Sequence, residues 1–127
     1  MYKTEVNPER VLRWQHNNTT QALEDIARKG QLSKLGYVPV FDLPEECASL
    51  GDYVLIDGHK RYEAARRSNV CLPILVVQEA ADFTNIPEYN ASEYYDQSPE
   101  EFERFRQRIV GIALMNYRTI SSKPNIE

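Results

Sequence analysis

The stretch that decides the fold covers residues 52–77 and reads DYVLIDGHKRYEAARRSNVCLPILVV. Residues 52–56 form a short apolar run typical of a buried strand, and Asp57-Gly58 ends it. Residues 59–69 predict a helix whose alanines allow a close approach to a sheet, and residues 72–77 form the strongest strand pattern in the chain. The order is therefore strand, helix, strand. A right-handed crossover is the default if the two strands are parallel, which the sequence leaves open.

Upstream of this stretch, the pattern predicts an extended arm, a helix and another strand. Residues 2–14 read as a short strand or arm interrupted by the turn at Asn7-Pro8. Thr19 or Thr20 can cap a helix that stops at Gly30. The strand at residues 37–41 contains Pro39, which cannot donate a ladder hydrogen bond. We therefore expect this strand to lie at an edge, or Pro39 to lie at its start.

Downstream, residues 81–97 have no clear period and predict an acidic, aromatic loop or lid, with Phe83, Tyr89, Tyr94 and Tyr95. The run Ser98-Pro99-Glu100-Glu101 is a helix start with a capping box. We expect a helix within residues 98–118, running to about Asn116, that packs on the domain or forms a dimer contact. Residues 119–127 would form a tail, and residues 1–80 the main domain.

Length and composition limit the class of protein. The chain has 127 residues, 42% hydrophobic and 27% charged, which suits one soluble domain. No stretch approaches the roughly 18 apolar residues that span a bilayer. The start, MYKTEVNPER, has no apolar signal core, so we expect a cytoplasmic protein. The elements together predict a small α/β (α+β) fold, a mixed sheet with helices packed on it.

Charge is distributed unevenly along the chain. The net charge of -4 opposes free-standing DNA binding, which depends largely on lysine and arginine displacing counterions. Residues 79–103 contain eight acids and no lysine or arginine. Lys60, Arg61, Arg66 and Arg67, in contrast, lie within eight positions. A local basic site on an acidic body favours a small anion, and we expect no membrane partner.

The predicted helix begins with His59, Lys60 and Arg61, although the helix dipole disfavours cations in a first turn. A phosphate at this terminus would offset that cost, because it would accept bonds from exposed N–H groups and contact both cations. Gly58 would let the backbone approach such an anion. The alternative has Asp57 as a simple cap, Arg61 paired with an acid and Lys60 in solvent. Spacing alone does not choose between the two.

Residues 52–77 resemble the central segment of ParB-type N-terminal domains. In those domains a strand leads to a Gly-x-x-Arg-x-x-Ala box, a helix, and a strand entered through Ile-Pro or Leu-Pro. Here the box covers residues 58–64, GHKRYEA, and Leu72-Pro73 supplies the later feature. The preceding helix, glycine and strand follow the same order, which extends the likeness loosely to residues 5–78. The chain is thus similar to the ParB/sulfiredoxin-like superfamily.

The resemblance implies nucleotide phosphate held at this box. Members include CTP-binding clamps, ATP-dependent sulfiredoxins, a free-serine kinase and proteins labelled nucleases. Carried over by position, Gly58, Lys60 and Arg61 would bind phosphate, and His59 would lie beside the reacting group. Asp57 would help to place magnesium or polarise a hydroxyl, although capping of the helix is the role we favour for it.

Departures from the family narrow the expected function. The box lacks the cysteine of sulfiredoxins, and we expect a standalone member without the helix-turn-helix domain of partition proteins. Three hypotheses follow: a nucleotide-dependent phosphotransferase or hydrolase, a non-catalytic nucleotide-binding module with a protein partner or a homodimer, and a nuclease or DNA-associated protein. The expected ligand is ATP, ADP or CTP, with or without magnesium. The two cysteines lack zinc-site spacing, and His16 reads as a surface residue.

Overall fold

The computed structural model describes residues 1–15, 18–86 and 96–122, so His16 lies outside the described residues. The described strands are β1 (Tyr2–Val6), β2 (Val11–Leu12), β3 (Val38–Asp42), β4 (Tyr53–Leu55) and β5 (Leu72–Val76). The α-helices in this part of the chain are α1 (Gln21–Arg28), α2 (His59–Ser68) and α3 (Pro99–Ser122). Short 3-10 helices cover Pro8–Arg10, Leu32–Leu35, Glu45–Cys47 and Ala80–Asn85.

The strands form one mixed sheet in the order β1-β5-β3-β4-β2. β3 is parallel to β5 and antiparallel to β4, so β4 and β5 run in opposite directions with β3 between them. The crossover rule for parallel strands therefore does not apply to the β4-α2-β5 unit. β2 pairs in parallel with β4 at one edge, and β1 pairs antiparallel with β5 at the other. The predicted fold class, a mixed sheet with helices packed on it, is confirmed.

The edge position expected for this strand was wrong, because β3 is the central strand of the sheet, but Pro39 is its second residue and lies next to the strand start. The carbonyl of Pro39 accepts a hydrogen bond from the N–H of Ile56 at 2.9 Å. The N–H and C=O of one strand residue point to the same side. The nitrogen of Pro39 therefore points towards Ile56, just after β4 has ended at Leu55. Because no ladder hydrogen bond within β4 is lost at this position, the central strand tolerates proline there.

Helices cover both faces of the sheet. On one face, α1 and α2 pack against the side chains of Val38, Val40, Ile74 and Val76. On the other, α3 and the 3-10 helix Ala80–Asn85 pack against a cluster with these strand residues: Leu12, Phe41, Val54 and Leu75. Because both faces are covered, every residue of β5 is buried, as its continuous apolar sequence predicts.

Two predicted helix starts are confirmed by their caps. The side chain of Thr20 accepts from the N–H of Leu23 at 3.2 Å and begins α1. Ser98 and Glu101 exchange the two bonds of a capping box, each at 3.2 Å, and begin α3. Helix α3 ends at Ser122, six residues beyond the predicted end.

Helix α3 packs on the sheet through its buried residues Phe102, Ile109, Val110 and Ala113. The predicted loop over residues 81–97 contains a 3-10 helix, Ala80–Asn85, whose Phe83 is fully buried. Residues 87–95, with Tyr89, Tyr94 and Tyr95, lie outside the described residues. Within the described ranges, no helix is both long and apolar enough to span a membrane.

Candidate functional site

The candidate site lies where β4 ends and α2 begins. Gly58 is the N-cap of α2 and has a φ of 87°, a left-handed conformation that favours glycine. A Cβ atom at this position would lie 2.8 Å from Cγ1 of Val38. The left-handed φ and the close approach to Val38 are both set by the fold and not by a ligand. The glycine is therefore explained by the turn and by its contact with β3, and its presence alone does not argue for an anion.

Asp57 does not cap α2, so the capping interpretation was wrong. Its Oδ1 accepts a hydrogen bond from the N–H of Gly58 at 2.7 Å, and the cap residue itself offers no side-chain acceptor. The helix ladder begins with the N–H of Tyr62 donating to the carbonyl of Gly58 at 2.9 Å. The N–H groups of the three residues before Tyr62 consequently have no acceptor within the helix.

A pocket of about 350 Å³ opens at this first turn. Leu23 of α1 and Leu35 of the 3-10 helix Leu32–Leu35 supply apolar walls, and residues 57–61 supply the polar wall. The side chain of Lys60 is exposed. The guanidinium of Arg61 donates to the carbonyl of Leu35 at 3.1 Å, which holds it at the rim. The structure thus places all five sequence-predicted site residues, Asp57 to Arg61, around one pocket.

His59 is buried, with only 2% of its surface exposed. Its ring packs edge-on against Trp14, with the ring centroids 4.7 Å apart. Burial lowers the pKa of His59 to about 4, although the charge of Asp57 opposes this shift and that of Arg13 adds to it. At neutral pH the imidazole is uncharged. Of the three cations that the sequence placed in the first turn, only Lys60 and Arg61 carry charge.

Trp14 is a part of the site that the sequence did not reveal. Its backbone N–H donates to Nε2 of His59 at 3.5 Å, and its indole N–H donates to the carbonyl of Leu55 at 2.7 Å. Its carbonyl accepts from the side chain of Asn116 on α3 at 3.3 Å. Trp14 therefore joins the end of β4, the start of α2 and the C-terminal helix. The one available signal was a single tryptophan in an otherwise polar segment.

The run of basic residues divides into two groups in the structure. Arg66 and Arg67 bind the carboxylate of Glu63 together with Arg13, whose Nη1 lies 2.8 Å from Oε2. Burial by itself would raise the pKa of Glu63, but the hydrogen bond from Arg66 and the charges of Arg66 and Arg13 outweigh it and lower that pKa. The sequence had counted Arg66 and Arg67 in the anion site. That was wrong, because they belong to this ion-pair cluster.

A larger cavity of about 670 Å³ lies elsewhere, between the end of β5 and the start of α3. Its charged lining consists of Asp42, Glu79, Glu103 and Arg106. The guanidinium of Arg106 already binds the carboxylate of Glu103. The lining is therefore acidic overall and repels an anion. By charge, the smaller pocket at α2 suits an anion better than this larger cavity does.

Among solved structures, the chain has a similar fold to a chromosome-partitioning protein. No family model matches the chain, and no curated protein matches it. It is similar to the C-terminally truncated chromosome-partitioning protein ParB from Caulobacter crescentus, complexed with CTP-gamma-S, with 20% identity and a TM-score of 0.43. The match covers 77% of this chain and 55% of that one, so this chain spans about half its length. At this score, the chemistry of the site must be judged from its own residues.

Proposed function

We propose that the pocket at the start of α2 binds a phosphate group, and that the protein is a nucleotide-phosphate-binding module. The observation that carries the proposal is a first turn without a side-chain cap, open to a pocket beside Lys60 and Arg61. Backbone N–H groups and the helix dipole favour an anion there. The helix dipole disfavours cations in this turn, and a bound phosphate would offset that cost.

A nucleotide is the ligand class we propose, because the box at residues 58–64 resembles the phosphate-binding box of ParB-type domains. The pocket volume lies at the lower end of the range of roughly 300–1,000 Å³ for ligand sites. It can hold the phosphates, with Leu23 and Leu35 against the sugar side. ATP, ADP and CTP all present the chemistry that Lys60 and Arg61 would contact.

Magnesium would enter with the nucleotide, and Asp57 is the residue that fits it. Among the described residues that line this pocket, Asp57 is the one carboxylate. One of its oxygens accepts from Gly58, which fixes the orientation of the group. The second oxygen is a ligand of the type that magnesium prefers when it bridges to phosphates. Without the metal, the same carboxylate would repel the phosphate.

A second candidate function is phosphoryl transfer or hydrolysis, and the same Asp57 favours it. A carboxylate that faces bound phosphate can hold magnesium or orient an attacking hydroxyl. His59 fits a catalytic role less well, because a buried imidazole with a pKa of about 4 is a weak base at neutral pH. We assign His59 to positioning the first turn. The nuclease alternative is weaker, since Arg66 and Arg67 are engaged by Glu63.

Calorimetric titration with ATP, ADP, CTP and inorganic triphosphate, each with and without magnesium, tests the proposal. Truncating either cation removes a charge-assisted hydrogen bond, so Lys60→Ala and Arg61→Ala should each weaken binding at least ~10-fold. Arg108→Ala removes an exposed arginine of α3 and serves as the charge-matched control. Absence of binding to wild type would overturn the proposal, and equal weakening in the control would reduce it to a net-charge effect.

Turnover is separated from binding by product analysis of the same mixtures. If the protein acts only as a binding module, nucleotide remains intact in the presence of magnesium. If it transfers or hydrolyses phosphate, product should form in wild type and fall strongly in Asp57→Asn, while binding of metal-free nucleotide is kept or improved. Product formed equally by wild type and Asp57→Asn would exclude the role given to this carboxylate.

A further inference from the structure

β1 is an edge strand with one open side. It pairs with β5 through all five of its residues, and none of the other described residues pairs with its outer side. Its first four residues are exposed, and Val6 is half-buried. An edge strand with open backbone groups is a template for another strand. What could pair with it depends on which groups point outward and on the side chains beside them.

The hydrogen bonding of the sheet fixes which groups of β1 are directed outward. Val77, just after β5, donates to the carbonyl of Val40 in β3 at 2.9 Å. Backbone N–H and C=O groups alternate in direction along a strand. Because Val77 faces β3, residues 75 and 73 also direct these groups towards β3, whereas residues 76, 74 and 72 direct them towards β1. The latter three pair with Tyr2, Thr4 and Val6, which therefore direct their N–H and C=O inward.

Lys3 and Glu5 consequently direct their backbone N–H and C=O away from the sheet. Their side chains lie on the same face, because residues two apart in a strand share a face. The ammonium of Lys3 lies 5.0 Å from the ring centroid of Tyr37, which keeps this charge at the sheet edge. The outer side of β1 thus presents one cation, one anion and four open backbone groups.

A second copy of β1, antiparallel to the first, satisfies all of these groups in one register. Centred on Thr4, the register places Lys3 opposite Glu5 of the second copy and Glu5 opposite Lys3, with each pair exchanging two backbone hydrogen bonds. On the other face, Tyr2 meets Val6, a favourable aromatic and β-branched pair. Shifting the register by two residues places Lys3 opposite Lys3, or Glu5 opposite Glu5, and brings like charges together.

We propose that two copies of this chain pair through β1 in the register centred on Thr4, which joins their sheets into one. Charge complementarity selects the second copy as the occupant of this edge, because the strand sequence is its own complement when reversed. The interface is small compared with the usual ~1,600 Å² of a stable complex, so we expect a weak dimer that forms at high protein concentration. This inference is independent of the phosphate pocket.

Sedimentation velocity of wild type, Lys3→Glu, Glu5→Lys and the double exchange over a wide concentration range tests the pairing. Each single reversal places like charges opposite each other and should weaken the dimer at least ~10-fold. The double exchange recreates both pairs and should restore wild-type affinity within a factor of about three. Wild type that stays monomeric, single variants that dimerise normally, or a double exchange without recovery would each overturn the proposal.

The register is tested separately by a single cysteine in a Cys47→Ser, Cys71→Ser background. Thr4 is the one residue that meets its own copy, in a non-hydrogen-bonded pair whose geometry allows a disulfide. Thr4→Cys should form a covalent dimer under oxidised glutathione, whereas Val6→Cys, which meets Tyr2, should remain mostly monomeric. Equal cross-linking of the two variants would contradict the register, and the melting temperature of each checks that the fold is kept.

Discussion

The two halves of α2 carry the same kind of residue and use it in opposite ways. In the first turn, Lys60 and Arg61 border an open pocket, where the helix dipole opposes them. In the following turns, Arg66 and Arg67 bind Glu63, whose side chain is only 1% exposed. One pair of cations borders a pocket, and the other binds a buried carboxylate of the protein itself.

The difference between the halves comes from where an acid is buried. Glu63 lies on the inward side of α2, and Arg13 reaches it from the segment after β2 at 2.8 Å. A buried carboxylate requires cations around it, so the arginines of the second half are committed to the fold. In the part of the chain that the structure describes, the acid lining the pocket at the first half is Asp57, which is exposed. Basic residues close together in a sequence can therefore serve different purposes, and the contacts made in the fold decide which of them join an ion-pair cluster.

The largest effect that separates the two halves is expected from Glu63→Gln. Removing the carboxylate breaks its ion pair with Arg13, which is mostly buried, and breaking a buried pair in this way costs about 3–4 kcal/mol of unfolding free energy. Urea denaturation at neutral pH measures the loss. Glu46→Gln, an exposed glutamate of the 3-10 helix Glu45–Cys47, is the matched control and should stay within about 0.5 kcal/mol of wild type. A similar loss in both variants would contradict a special role for the cluster.

A smaller effect, which depends on pH, is expected from His59. Its pKa is about 4 in the fold and about 6.5 when unfolded, so the unfolded state binds more protons between these values. The stability contribution is fully present above pH 6.5 and is lost as the pH falls towards 4. We expect wild type to lose about 2 kcal/mol between pH 7 and pH 5.

His59→Gln should lack this loss, because glutamine does not titrate. The lowered pKa of Glu63 adds stability that is present at neutral pH and is lost only at lower pH, where carboxylates begin to protonate. The two halves of α2 thus respond to acid in separate windows. Denaturation curves at half-unit steps of pH for both proteins provide the measurement, and parallel pH profiles would exclude a buried, neutral His59.

The smallest effect on stability, with the opposite sign, is expected from Lys60→Glu. An acid in the first turn suits the helix dipole, so the variant should be more stable than wild type by about 0.5 kcal/mol at low salt. The same change should abolish phosphate binding, because it replaces a cation of the pocket with an anion. Thermal unfolding combined with titration of inorganic triphosphate measures both. A less stable variant would contradict the helix-dipole argument. A variant that still binds triphosphate would place the ligand site elsewhere.

Local sequence predicted most elements and several of their ends. The capping box at Ser98 and Glu101 and the cap at Thr20 depend on residues three apart in sequence, so they could be read directly. The position of Pro39 could not be read, because it depends on where a distant strand ends. The contact of Gly58 with Val38 and the pairing of Glu63 with Arg13 join residues 20 and 50 positions apart. Such contacts have no local pattern.

By itself, the sequence determined the mixed α/β class, the strand-helix-strand core and the group of residues from Asp57 to Arg61 at the start of a helix. These features follow from hydrophobic periodicity and turn chemistry, which act over a few residues. Tertiary structure decided the strand order, the neutral state of His59 and which cations remain at the pocket. Those outcomes depend on burial and on partners distant in sequence, since the charge that a side chain carries is set by what surrounds it in the fold.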